Sequence, residues 1–396
     1  MAEAAFGVEL RRSRQAAALS LRQLAVRVGY DHSYLSQVER GQRPGSPHLA
    51  ELCDRALGTG SALAAAYERA HPVLVPAAGF ASGPGTLEAT RHGLAGSFGQ
   101  VPATDEWAAV IATYSRDFAI TAPADLLPEL TADVELLRAA AGSSEAPATL
   151  AVSAAELAMV LALTLASLGK GRAAWRWWRT ARDTADSSGD VATRSLARSL
   201  EAIHGLYERP PRQELLEIAD QALALTDRPD RIAHALAARA QVLAMFGRAE
   251  EARLALQESV AVTAGLPVEV LSDTSLFGWP AYRVQCVGSF IYSSVGDTAA
   301  AYEAQDRAFD LCPAEYLRDR AELQLQRAHC LVQDGEVAAG LATAMRVLVE
   351  LPGHCHTEFV YAAAGRVLSV VPAVDLGRPA VRDYRELVVR RLYQQR

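Results

Sequence analysis

The sequence predicts an all-α protein in two parts, a small bundle of short helices followed by a long array of helical hairpins. Three observations carry this. Half of the 396 residues are hydrophobic but only 7% are aromatic, and alanine and leucine, both strong helix formers, dominate the apolar set. No stretch alternates apolar and polar residues with the period of two that a half-buried strand requires. A glycine followed by a charged or polar residue and an alanine-rich stretch recurs at Gly169, Gly247, Gly296 and Gly335, the punctuation of a helix that ends and turns into another. The length exceeds what one ordinary core organises, so two or three domains are expected.

The first part is expected to span residues 1–70 as a five-helix domain. Ser20 is placed to cap a helix carrying Leu21, Leu24, Ala25 and Val28, because a serine side chain accepts a bond from the open amides of a first turn. Gly29 ends that helix. A second helix is expected from about Asp31 to Arg40, with Leu35 and Val38 inward and Gly41 as its stop. Ser46 is placed to cap a third, whose Leu49, Leu52, Ala56 and Leu57 complete a small core. Residues 71–104 are rich in proline and glycine and read as a linker, with one short helix near Thr86–His92. The helical pattern then fills residues 105–396. Its most apolar part, Ala148–Leu168, contains Ser153, Glu156, Thr164 and Ser167 and reads as a buried helix rather than a membrane span.

Residues 18–58 resemble the lambda-repressor-like, or Xre-family, helix-turn-helix. The family pattern is met at Leu19 and Ser20, Leu24 and Ala25, Gly29, Leu35, and the run Val38, Glu39, Arg40, Gly41. The resemblance implies DNA binding, with the second helix of the pair entering the major groove. The residues it implies as base contacts are His32, Ser33, Tyr34, Ser36 and Gln37; Gln37 is suited to a bidentate pair with adenine. Arg22, Gln23, Arg40 and Arg43 fall where the family touches phosphate, contacts that position a domain without reading sequence. Glu39 matches a structural residue that ties its helix to the following loop. One such domain buries too little to be specific, so a homodimer on a palindromic operator in double-stranded DNA is implied.

The turn glycines are 78, 49 and 39 residues apart. The first gap holds an extra degenerate pair, Ala192–Tyr207 and Gln213–Leu225, so the period near 39 with one insertion is that of a helix-hairpin solenoid. Ala174, Ala252 and Ala301 fall where paired helices cross, and Trp178 shares a face with Ala174 and can plug an interface. A lone hairpin cannot bury its apolar face, so the hairpins must stack. The array resembles tetratricopeptide (TPR) repeats over roughly 149–350, flanked by further hairpins at Asp105–Gly142 and Glu358–Tyr393. A helix-turn-helix head on a TPR-like body resembles the peptide-sensing regulators of Gram-positive bacteria, and implies a concave groove for a signalling peptide, small molecule or protein partner. Counting back from the turns places His204, Tyr207, His234, Gln241, Arg283, Phe290, Glu322 and His329 in that groove.

Charge and cysteine usage agree with this organisation. Residues 1–70 net +2, nine arginines against seven acidic side chains, while the rest nets −9, the sign expected of a DNA-touching head on an acidic body. A single lysine against 38 arginines is a high-GC bias that suggests an actinobacterial source. The five cysteines lack a CxxC spacing, which points to reduced thiols in the cytoplasm, and the N-terminal stretch has no apolar signal core. No nucleotide, hydrolase or metalloprotease motif is present, so no enzyme and no cofactor is expected. His354, Cys355 and His356 are adjacent and do not converge on a tetrahedral metal site. Trp175, Trp177 and Trp178, interleaved with Arg172, Arg176 and Arg179, have the look of an aromatic–basic patch, but Trp175 and Trp178 share one helical face and favour a core role. The leading expectation is a sequence-specific transcriptional regulator whose DNA affinity is set by a ligand on the repeats. The alternative is an interaction scaffold with a tethering head.

Overall fold

The computed structural model describes residues 2–28, 30, 32–43, 45–70, 104–141, 148–207 and 212–394. Among these are twenty α-helices and no strand. The chain divides into two compact units, Met1–Ala81 and Ser82–Arg396. The expected linker up to residue 103, with its short helix, lies outside the described residues, as do Gly29, Asp31 and Gly142.

The N-terminal unit holds α1 (Ala2–Ala16), α2 (Leu21–Val28), α3 (His32–Glu39), α4 (Pro47–Leu57) and α5 (Ala62–Ala70). The Gln23 amide donates to Ser20 Oγ at 3.3 Å and the Ser20 amide to Gln23 Oε1 at 2.9 Å. This reciprocal capping box fixes where α2 begins. Ser46 Oγ accepts from the Leu49 amide at 3.0 Å, and Pro47 opens α4, where its missing N–H is no loss. Gly41 ends α3 at φ +65. The inward faces meet in one core of Phe6, Leu10, Leu24, Val28, Leu35, Val38, Leu49, Cys53 and Leu63. Leu21, Leu52, Ala56 and Leu57 pack on it only partly buried, because α1 and α5 supply the centre. At Gly7, an added Cβ would sit 2.2 Å from the Val38 carbonyl oxygen, so α1 crosses the end of α3 at backbone contact.

Among the described residues the second unit holds seven successive helix pairs: α6 (Thr104–Asp117) with α7 (Pro123–Ala141), α8 (Ala148–Ser167) with α9 (Gly171–Ser188), α10 (Val191–Gly205) with α11 (Arg212–Ala224), and α12 (Pro229–Met245) with α13 (Ala249–Ala264). After the short α14 (Val268–Leu271) follow α15 (Ala281–Val295) with α16 (Thr298–Leu311), α17 (Leu317–Gln333) with α18 (Val337–Glu350), and α19 (Glu358–Ser369) with α20 (Pro379–Gln394). The four repeating glycines all lie in the left-handed region, at φ +69, +74, +81 and +88, a conformation that ends a helix without Cβ strain. Ala174, Ala252 and Ala301 are completely buried where the paired helices cross.

Trp178 is fully buried between α8, α9 and α10. Trp175 and Trp177 are half-buried against neighbouring cores, while Arg172, Arg176 and Arg179 face outward. Helix α8 is long and apolar enough to cross a membrane by length and composition, but every residue from Leu157 to Ser167 is buried in the array. His356 lies at the foot of α19 with both ring nitrogens engaged, Nδ1 2.7 Å from the Tyr361 hydroxyl and Nε2 3.0 Å from the Leu351 carbonyl.

The second glycine gap, ten residues longer than the third, holds an element that the sequence reading missed. Residues 272–280 leave α14 as an irregular strap that crosses to α6. The Leu276 amide donates to the Ser115 carbonyl at 2.8 Å. Arg231 donates to the Phe277 carbonyl at 2.8 Å, and Trp279 Nε1 to Thr263 Oγ1 at 2.9 Å. Loop backbone this deep needs such partners, since an unpaired buried carbonyl is destabilising.

Candidate DNA-reading face and ligand cavity

The helical period sorts α3 into two sides. Leu35, Val38 and Glu39 turn inward, while His32, Ser33, Ser36 and Gln37, with Arg40 just beyond the helix, lie on its outer side. His32, Ser33 and Arg40 are exposed; Ser36 and Gln37 are partly so. Tyr34 departs from this group. It stacks on Tyr30 at 5.6 Å and packs against the core, and burial, with Tyr30 beside it, pushes its hydroxyl up to about 12. Of the residues implied as phosphate contacts, Arg22, Gln23, Arg40 and Arg43 are all exposed. Gln23 spends its Oε1 on the capping box, and Arg40 Nε bonds the Ser36 carbonyl at 3.1 Å.

Glu39 does not serve the following loop as the sequence reading expected. Its carboxylate pairs with Arg14 of α1, at 2.6 Å to Nε and 2.8 Å to Nη2, and Arg14 also donates to the Leu19 carbonyl at 2.7 Å. This bidentate pair, with side chains 11% and 4% exposed, locks the outer end of α3 to α1 and to the entry of α2. The partner lies 25 residues upstream, and no local spacing announces it.

In the second unit the first helices of successive hairpins line a cavity of about 240 Å³. Three of the sequence-derived groove residues stand 13 positions before their turn glycines, His234, Arg283 and Glu322, and all three line it, together with His204, Tyr207 and Gln241. Phe290 and His329 do not. Each is buried against α19, Phe290 under the Arg366 guanidinium at 4.8 Å and His329 with Nδ1 3.0 Å from the Arg366 carbonyl. They stand six positions before their glycines, roughly 10 Å further along the helix than the other set; Gln241 stands at the same level of its own helix and still lines the cavity, so it is α19 that closes this level at the later hairpins.

The strap and both ends of the array complete the walls. Thr274, Leu276 and Trp279 of the strap, Ser115 and Phe118 of the first hairpin, and Phe359 of α19 all contribute. Arg283 holds the strap, donating from Nη1 to the Leu276 and Gly278 carbonyls at 2.9 and 2.8 Å and from Nη2 to Ser275 at 3.3 Å. Arg318 donates to the carbonyls of Phe118 and Ala119, joining helices 200 residues apart. Aromatic contacts run along the wall: Trp178 on His204 at 5.8 Å, His204 on Phe359 at 5.2 Å and Tyr207 on Phe359 at 4.9 Å.

Burial holds the His204 imidazole down to about 3, helped by the Arg283 charge. The unfolded chain binds that proton near pH 6.5, so below this pH the unfolded state takes up more protons and this part of the stability is lost on acidification. Glu322, Glu201 and Glu156, raised by burial to about 7, act in the opposite sense between roughly 4.5 and 7. The comparison that isolates His204 is with His204→Gln. The unfolding free-energy gap between the two proteins should shift against the parent by on the order of 1 kcal/mol per pH unit from 6.5 to 4.5. Tryptophan fluorescence in urea measures it, since all five tryptophans lie in the second unit; a gap independent of pH would sink the assignment.

Residues 5–66 match the family described as "Helix-turn-helix domain". The N-terminal unit is a helix-turn-helix domain. No curated protein matches the chain in sequence. Among solved structures, a Rap protein complexed with Competence and Sporulation Factor aligns with a TM-score of 0.53 at 12% identity, covering 98% of this chain and 100% of that one. That likeness is one of fold, a TPR-like helical array. Bacillus thuringiensis PlcR, in complex with the peptide PapR7 and DNA, aligns over 92% of this chain and 99% of that one at 11% identity, but with a TM-score of 0.26 the likeness carries no weight.

Proposed function

We propose that this protein is a transcriptional regulator of the lambda-repressor-like type, a homodimer in the cytoplasm that reads a two-fold-symmetric operator and whose grip on DNA is set by a ligand held in the cavity of the repeats. The observation that carries the reading is the polar outer face of α3 within a helix-turn-helix domain, with exposed arginines at its end. His32, Ser33, Ser36 and Gln37 are the base readers of this proposal, with Tyr34 assigned to packing at the groove edge. Arg22, Gln23, Arg40 and Arg43 are its phosphate contacts. The ligand half is supported by the fold shared with Rap, which was solved with Competence and Sporulation Factor bound, and by a cavity with aromatic and charged residues in its walls on the same kind of array.

Genome-wide binding of the tagged protein, followed by titration on the best site, tests the DNA half. Gln37→Ala should weaken that site by roughly 5- to 150-fold, the equivalent of ~1–3 kcal/mol for a lost bidentate base contact, and leave random DNA unchanged. Arg43→Ala should weaken every sequence and flatten the salt dependence by about one unit of slope. Uniform weakening by both, with no enriched site in the cell, would favour a scaffold with a tethering head.

A further inference from the structure

Resting on the reading of the cavity as the regulator's ligand site, we infer that its ligand is a small organic cation, a primary ammonium or guanidinium on a short apolar frame, received by Asp319 and Glu322. The two carboxylates stand one helical turn apart on α17 and both line the cavity. Each keeps some accessible surface although it lies deep in the protein, so that surface opens on the cavity. Asp319 accepts one bond, from the Tyr282 hydroxyl at 3.2 Å. Glu322 has no hydrogen-bond donor among the described residues.

The arginines around them are already engaged. Arg283 donates to three strap carbonyls and Arg318 to two carbonyls of the first hairpin. Arg366 lies over the Phe290 ring at 4.8 Å. None of the three forms an ion pair with either carboxylate among the described residues. The two arginines that line the cavity turn three and two of their N–H donors to backbone carbonyls, while the two carboxylates accept a single bond between them, which favours a ligand that brings N–H groups.

Two further observations agree. His234 is 1% exposed, lines the same cavity and leaves Nδ1 without a partner; burial holds the ring neutral, so one ring nitrogen is an acceptor. Burial holds both carboxyls above their ordinary range, with the Asp319 charge adding to the effect on Glu322, even against the pull of the Arg283, Arg318 and Arg366 charges. Trp279, Tyr282 and Phe359 offer aromatic faces for the frame and for the cation. At about 240 Å³ the cavity falls below the ~300–1,000 Å³ of common ligand pockets, which suits one small molecule better than an extended peptide.

The test uses the full-length protein without DNA and four probes, tyramine, phenethylamine, cadaverine and agmatine. Each is paired with an isostere lacking the cationic group; for tyramine these are 4-ethylphenol and 3-(4-hydroxyphenyl)propionate. Calorimetry and Trp279-sensitive fluorescence read binding. At least one amine should bind at least ~10-fold tighter than its isosteres, and Glu322→Gln should weaken it by a similar factor, as expected when one partner of a desolvated charge pair is removed. Asp319→Asn should weaken it too, and both variants should keep the parent's circular dichroism and melt at or above the parent's temperature when unliganded. Equal binding of amine and isostere, no binding by any amine, or full binding by both variants overturns the inference. Operator affinity is measured separately with and without the bound amine. An amine that binds without changing it leaves the cation site standing and removes the regulatory coupling.

Discussion

Replacing Arg14 with methionine should unfold the helix-turn-helix domain while leaving the tryptophan-reported unfolding of the repeat unit unchanged. The Arg14–Glu39 pair is nearly excluded from water, and removing one partner of such a pair leaves an unpaired buried charge that is destabilising by ~3–5 kcal/mol. A domain of this size has only ~3–10 kcal/mol in total. The loss is compounded by the Leu19 carbonyl, which gives up its donor at the entry to α2. Circular dichroism should show a fraction of the helix melting early, fluorescence should not, and operator binding should vanish. The double variant Arg14→Met with Glu39→Gln, which removes the charge as well as its partner, should recover most of the stability. A single variant as stable as the parent, or a double variant worse than the single, would show that the pair does not hold α3 in place.

The second large effect is expected at Arg283. Its guanidinium is the common donor for three carbonyls of the strap, and each buried carbonyl left unpaired is destabilising by ~1–3 kcal/mol. Arg283→Ala should therefore lower the stability of the repeat unit by about 3 kcal/mol, the loss being capped because the strap can detach and rehydrate. Hydrogen exchange at the Leu276 and Phe277 amides, which both donate to Ser115, should accelerate at least ~100-fold, the equivalent of about 3 kcal/mol. Amides inside α8, remote from the strap's bonds, should stay protected. Arg283→Lys should behave nearly like the alanine variant, because an ammonium cannot span three carbonyls as a planar fork does. Unchanged protection of the strap would mean that Arg231, Ser115 and Tyr316, whose hydroxyl donates to Thr274 Oγ1 at 3.0 Å, hold it alone.

Much of the candidate site could be read from sequence because it follows local periods. The outer face of α3 is set by the 100° step of a helix and by which neighbours are apolar, so His32, Ser33, Ser36 and Gln37 fall together whatever the rest of the chain does. The concave wall follows from counting back from glycines whose left-handed backbone ends each first helix. That count placed His234, Arg283 and Glu322 on one cavity and failed for Phe290 and His329, because α19 packs over that level of α15 and α17.

What the sequence determined by itself is therefore the local grammar: an all-α chain, a helix-turn-helix at its start, glycine-ended hairpins after it, and small residues at their crossings. These depend on contacts within a few turns of helix, which residue type and spacing specify directly. What only the tertiary structure decided are the partners of the charged residues. Arg14 reaches Glu39, Arg318 reaches the Phe118 carbonyl 200 residues away, and residues 272–280 become a strap across the cavity rather than a surface loop. No short-range pattern encodes these, since a guanidinium satisfies any carboxylate or carbonyl that the stacking brings within reach. The open carboxylates of Asp319 and Glu322 emerge in the same way, beside arginines that bond backbone carbonyls instead of pairing with them.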